Sequence, residues 1–173
     1  MMSSTTKTVL ILRHAKSSWD IPSISDKDRP LNVRGQRDAP RVGQLLRKQQ
    51  LVPDLILTSS AKRARQTANL VAASSQYVHG ITEVDRFYLA QPWVYMSYLS
   101  DLPNHHARVM VIGHNPGLEL LIDELTGNHE TMPTAALAEV YLPIDNWTEI
   151  LCLNNKNRGQ LIQLWRPKET FVQ

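Results

Sequence analysis

At 173 residues, 42% hydrophobic and 20% charged, the chain has the length and composition of one domain spanning 1–173 with a substantial buried core. Nineteen Lys and Arg against sixteen Asp and Glu leave a formal charge of +3, and no basic run or nucleic-acid motif accompanies it, so a nucleic-acid partner is not expected. No apolar run reaches the roughly 18 residues needed to span a membrane, and the polar start lacks the apolar stretch of a secretory signal, which predicts a cytoplasmic protein without a membrane partner.

In chain order, residues 1–7 read as a flexible tail, followed by the apolar run Val9, Leu10, Ile11, Leu12, a buried strand ending at Arg13 and His14. A polar loop passes through Pro22 and Pro30. A helix is predicted over 35–50, with Ala39, Val42, Leu45 and Leu46 as its apolar stripe. Leu55, Ile56 and Leu57 form a second strand that runs into a helix over 60–74, and 77–82 reads as a short strand. Pro92 suits the first position of a helix carrying Trp93, Met96, Leu99 and Leu102. Val109 to Ile112 form a third buried strand ending at Gly113 and His114. Asn115 is then expected to cap a helix with Pro116 at its first position, Leu118, Leu121, Ile122 and Leu125 on its buried face, and Gly127 at its end. Late strands are predicted over 139–142 and 159–165. This alternation implies an α/β fold, a three-layer α/β/α sandwich around a mostly parallel sheet.

Three of the strands deliver His14, Arg63 and His114 towards one sheet edge. Ligands of open α/β sheets bind outside the carboxyl ends of the strands, so a site of imidazole and guanidinium is expected there. That chemistry suits a phosphoryl group. A neutral imidazole is a nucleophile near pH 7, and guanidinium groups offer paired donors to phosphoryl oxygens. Helix N-termini after the strands would add backbone N–H groups.

The motifs Arg13-His14-Ala15-Lys16-Ser17-Ser18-Trp19, Thr58-Ser59 with Arg63-Ala64 and Thr67, and Gly113-His114-Asn115-Pro116 resemble the histidine phosphatase, or phosphoglycerate mutase-like, superfamily. The segment Asp28-Arg29-Pro30-Leu31-Asn32-Val33-Arg34-Gly35 is similar to its SixA-type phosphohistidine phosphatases. This resemblance implies His14 as nucleophile, Arg13, Arg63 and His114 as catalytic phosphate-binding residues, and no metal or cofactor. The implied reaction is hydrolysis of phosphohistidine on proteins through a covalent phosphohistidine intermediate, a signal-transduction activity. The implied partner is a phosphorylated protein of the histidine phosphotransfer or phosphotransferase-system type, with phosphate-like anions binding the same site. Alternatives on this fold are a small-molecule phosphomonoesterase or a non-catalytic phosphoprotein-binding module.

Two departures from the family pattern bear on the substrate. Ala15 and Asp20 stand where many relatives carry glycine and asparagine. A carboxylate at 20 accepts only and would suit a cationic imidazole leaving group, or it begins a turn before Pro22. Glu83 and Asp85 are the acidic residues of the region where larger relatives place a general acid. No mutase motif surrounds them, and a protonated imidazole can leave without a strong acid. Elsewhere Arg65 is expected on the surface, His79, His105, His106 and His129 in structural or exposed roles, and Trp19 and Trp93 as covers over apolar surface. Cys152, the only cysteine, excludes an intrachain disulfide and reads as a partly buried, inert thiol.

Overall fold

The computed structural model describes residues 6–171. Six strands, β1 (Lys7–Arg13), β2 (Leu55–Ser59), β3 (Ile81–Val84), β4 (Arg108–Gly113), β5 (Leu137–Leu142) and β6 (Gln160–Trp165), form one sheet in the order β3-β2-β4-β1-β5-β6. The first four are mutually parallel, while β5 runs antiparallel to β1 and β6 antiparallel to β5. In the described residues five helices accompany them: α1 (Val33–Lys48), α2 (Lys62–Ser75), α3 (Pro92–Ser100), α4 (Gly117–Thr126) and the short α5 (Pro167–Thr170). The expected mixed α/β fold with a mostly parallel sheet is what forms.

Side-chain alternation divides the core. Leu10, Leu12, Ile56, Met110 and Ile112 face α1 and α2, whereas Val9, Ile11, Leu57, Val109 and Val111 face α3 and α4. Covered on both faces, β1 and β4 read as unbroken apolar runs. Helix α1 starts where the Asn32 side chain accepts a bond from Gly35 N, and it buries Ala39, Val42, Leu45 and Leu46. Helix α4 ends as expected at Gly127, in the left-handed region with φ 76°. Among the described residues no helix is long and apolar enough to cross a membrane.

Several expectations need correction. The tail cannot extend to residue 7, because Lys7 opens β1, buried, with its Nζ donating to Asn104 O and His106 O; residues 1–5 lie outside the described residues. The third strand begins at Ile81 because α2 closes on Gln76 in the left-handed region, which turns Tyr77 back to receive a bond from Ile56 N. Trp19 and Trp93 cover no core: they are 70% and 69% exposed. Cys152 is exposed, on a 3-10 turn over Trp147–Cys152. Asn115 caps no helix: its Nδ2 donates to Glu119 Oε1 and Met132 O, its buried Oδ1 accepts no bond, and α4 begins without a side-chain cap at Gly117.

Candidate active site

Parallel pairing of β1 with β4 aligns Arg13 with Gly113, and His14 N bonds to Gly113 O at the next step. The register thus sets His14 and His114 side by side, with ring centroids 5.0 Å apart. A side chain at 113 would collide with the Tyr95 hydroxyl, so the packing of Tyr95 against the end of β4 depends on glycine. Strand β2 ends at Ser59, and Arg63 lies in the first turn of α2, reaching both rings: Nε donates to His14 Nε2 at 3.3 Å and Nη2 to His114 Nδ1 at 3.4 Å. Thr67 ties the loop after β1 to this helix by accepting from Ala15 N and donating to Arg63 O.

The tautomers follow from these partners. His14 Nδ1 lies 2.8 Å from Ala15 O, a group that only accepts, so Nδ1 carries the proton and Nε2 keeps its lone pair towards the cavity. His114 Nδ1 accepts from Arg63, so its Nε2–H donates to Ser59 Oγ at 2.7 Å. Burial pushes the pKa of each histidine down to about 3, with the neighbouring arginines adding to the effect. Both rings are therefore neutral at pH 7.

A cavity of about 220 Å³ opens above them, lined by Arg13, His14, Arg63 and His114 and, nearer the mouth, by Lys16, Trp19, Arg29 and Leu89. Wider clefts elsewhere on the surface contain no histidine. Arg13 donates Nη1 to Met132 O, while its buried Nε has no partner. The structure thus brings together the four residues read as nucleophile and phosphate pocket. His14 lies deeper than the strand end suggests, at 7% exposure. Among the described residues no group of three or more His, Cys, Asp or Glu side chains is placed to hold a metal ion.

The three acidic candidates do not line this cavity. Asp20 is exposed, and its carboxylate accepts from Ser18 Oγ in a local turn. Glu83 lies on β3, half exposed, 3.9 Å from Arg65, which is itself half exposed as expected. Asp85 accepts from Lys27 Nζ and Ser60 Oγ, and these bonds hold its carboxyl below the usual range, the opposite of what a proton donor at neutral pH needs.

Three other residues shape the site without having been singled out. Asp26, in a 3-10 turn over Asp26–Asp28, accepts from Arg63 Nη2 at 3.0 Å and Tyr88 Oη at 2.6 Å and forms an ion pair with Arg29 Nη2 at 3.1 Å. Burial would raise its pKa, but the bonds from Tyr88 and Arg63 outweigh that and hold the carboxyl ionised. Tyr88 also sets its ring edge-on against His114, at 5.6 Å. Arg29 stacks 3.4 Å under the Trp19 ring and keeps two buried donors, Nε and Nη1, without partners. For Arg29 the signal was in the Asp28-Arg29-Pro30 segment itself. For Asp26 and Tyr88 there was none, because only the fold brings the two loops together.

The family model of the histidine phosphatase superfamily (branch 1) matches residues 9–87. An uncharacterised protein of Mycobacterium tuberculosis is 30% identical over 152 residues, covering 80% of this chain and 91% of that protein. A structure assigned as phosphohistidine phosphatase SixA from Agrobacterium tumefaciens superposes with a TM-score of 0.78 and 28% identity, over 93% of this chain and 98% of its own. The protein histidine phosphatase SixA complexed with tungstate gives the same TM-score at 24% identity, over 94% and 98% of the two chains, and so speaks to the fold alone. With strand-end histidines and arginines in the family's order and a fold shared along nearly the whole chain, the protein belongs to the histidine phosphatase superfamily.

Proposed function

We propose that this phosphatase hydrolyses phosphohistidine displayed on other proteins, in the cytoplasm, through a covalent phosphohistidine on His14. The observation that carries the reading is a cavity lined by two neutral imidazoles and three guanidinium groups, with no carboxyl group in its lining. Ester hydrolysis leaves an alkoxide that needs a proton donor, whereas the imidazole of a phosphohistidine can leave already protonated.

In the proposed reaction the phosphoryl group takes the place of Arg63 Nε at the lone pair of His14 Nε2. The new P–N bond forms as the bond to the substrate imidazole breaks, and water then releases phosphate from His14. Arg13 and Arg63 bind the equatorial oxygens. As the dianion arrives, His114 takes a proton from solvent at Nδ1 in place of the bond from Arg63 Nη2, because a neighbouring negative charge favours the charged imidazole, and it then donates to the third oxygen. The arginines supply the positive charge, so we read the reaction as needing neither metal nor cofactor.

A proteinaceous substrate accords with the mouth, where Trp19 and Leu89 are 70% and 56% exposed, apolar surface that a small hydrophilic metabolite would leave uncovered. The partner class we favour is a histidine phosphotransfer or phosphotransferase-system protein. The test is a paired comparison of kcat/KM for a phosphohistidine protein and a panel of phosphate esters, with EDTA present, together with rapid quenching. An acid-labile, base-stable phosphoryl adduct on His14 and poor ester turnover are expected. Efficient hydrolysis of alkyl phosphates would replace this reading with that of a small-molecule phosphomonoesterase, and absence of any turnover with that of a binding module.

A further inference from the structure

Away from the catalytic cavity, α1 presents Arg34, Arg37 and Arg41 along one face, at the three- and four-residue spacing that places side chains on a common stripe. Together with Lys168 of α5 they line a cleft of about 400 Å³. Among the described residues a single carboxylate lines the cleft with these four cations, that of Asp38, whose side chain is only 4% exposed. The cleft thus holds a local excess of three positive charges, equal to the formal excess of the whole chain, so the remainder of the molecule is close to neutral.

The three arginines have fixed partners. Asp38 accepts from Arg34 Nε at 3.4 Å and from Arg37 Nε at 3.0 Å, fixing two guanidinium groups with one buried anion. The Arg41 guanidinium lies over the Phe171 ring at 6.0 Å. Positioned cations lose less side-chain entropy on meeting an anion than free ones do. The cleft also connects to the catalytic mouth: Arg34 lines a second, shallow depression with Ser18 and Asp20, the residues on either side of Trp19 at the rim of the phosphoryl cavity.

We infer that the α1–α5 cleft is a docking track for an acidic segment of the phosphoprotein substrate, which runs along α1 while its phosphohistidine enters the cavity. The occupant follows from charge complementarity and from this continuity with the mouth, and in naming the substrate the inference rests on the function proposed above. Arg34 to Arg41 spans about 10 Å at 1.5 Å per residue. An acidic stretch of about eight extended residues, at about 3.3 Å each, is about 26 Å long, more than twice the length of that face.

The test uses two phosphohistidine peptides, one with and one without an eight-residue glutamate extension, and the full-length protein carrying Arg41→Glu and Lys168→Glu. These two positions leave the Asp38 ion pairs and the catalytic residues untouched. At low ionic strength the extension is expected to raise kcat/KM of the wild type about tenfold, almost wholly through KM, and the gain should shrink as salt screens it. The double variant should process the plain peptide normally and lose the gain. Equal turnover of both peptides by both proteins would overturn the inference.

Fluorescence anisotropy with a labelled, unphosphorylated glutamate peptide separates this inference from the catalytic reading. Binding to the wild type but not to the double variant would support the track even if neither phosphopeptide were hydrolysed. Preferential binding of an oligonucleotide of equal charge would refute the acidic-protein occupant.

Discussion

At the floor of the cavity His14, Arg63 and His114 are each no more than 7% exposed and joined through Arg63, which bonds to both rings, whereas at the mouth Trp19 and Leu89 are more than half exposed and Arg29 keeps two donors free. The floor comes from strand ends and the first turn of α2, elements covered on both sides. The mouth comes from the irregular segment between β1 and α1 and from the turn after β3. Rigid packing thus fixes the groups that must meet phosphorus within fractions of an ångström, and adaptable surface is left for whatever carries the phosphoryl group. This division predicts that substitutions at the floor act on kcat and those at the mouth act on KM.

The hardest test of the division is His14→Ala. Loss of the covalent nucleophile should leave below about one per cent of activity and no trappable adduct, since such losses usually cost several orders of magnitude. Thermal denaturation should show the fold retained, because the lost imidazole lines a cavity instead of filling the apolar core. Next in size, Arg63→Ala and Arg13→Ala should each lower kcat/KM by at least about a hundredfold, as expected on removing a fixed donor to the transferring group. Arg65→Ala, two residues along α2 and half exposed, should change it little; equal losses at 63 and 65 would erase the distinction between the two faces of that helix.

The floor also has a pH signature. His14 and His114 titrate near 3 when folded and near the ordinary 6.5 when unfolded. The unfolded chain therefore binds more protons between those values, and stability falls as pH drops below about 6.5, by up to about 1.4 kcal/mol per pH unit for each histidine. Urea midpoints measured from pH 7 to pH 4 should show this slope, and His114→Gln should reduce it. A slope unaffected by that substitution would mean that the ring is not buried in its neutral form.

At the mouth, Arg29→Ala should raise KM for a phosphohistidine peptide roughly tenfold with kcat almost unchanged, the size expected for one lost charge-assisted contact. A matching fall in kcat would place Arg29 with the floor. Smallest of all, Glu83→Gln, Asp85→Asn and Asp20→Asn should each alter phosphohistidine turnover by less than about tenfold, below the 10²–10⁴-fold associated with a general acid. A larger loss at any of them would locate a proton donor outside the cavity lining.

The parts of the molecule that could be read in the sequence share one property: their environment is set locally. Val9 to Leu12 and Val109 to Ile112 are apolar throughout because both faces of the sheet are covered, and the residues that follow such strands fall at one edge whatever the details of packing. Asp26 and Tyr88 escaped notice because their roles exist only when two loops meet, 62 residues apart, in a hydrogen bond that no periodicity encodes. Hydrophobicity alone suggests that Trp19 and Trp93 cover apolar surface, yet one lies on a loop and the other on the first turn of α3, and both stay about 70% exposed even though Arg29 stacks on the Trp19 ring. Asn115 and Pro116 carry the usual signs of a helix start, but Glu119 and Met132 O hold the asparagine Nδ2 while its buried Oδ1 receives no helical N–H.

The pairing of β1 with β4 joins positions exactly one hundred residues apart, Val9 to Val109 through Arg13 to Gly113. Closing a loop of that length costs entropy that no local contact repays, so these strands meet only once much of the intervening chain has found its place. His14 and His114 face each other only after that event. Because β4 lies between β1 and β2 in the sheet, it joins the strand that leads to His14 to the one that leads to Arg63, and recovery of activity after denaturant dilution should coincide with the last structural change rather than precede it.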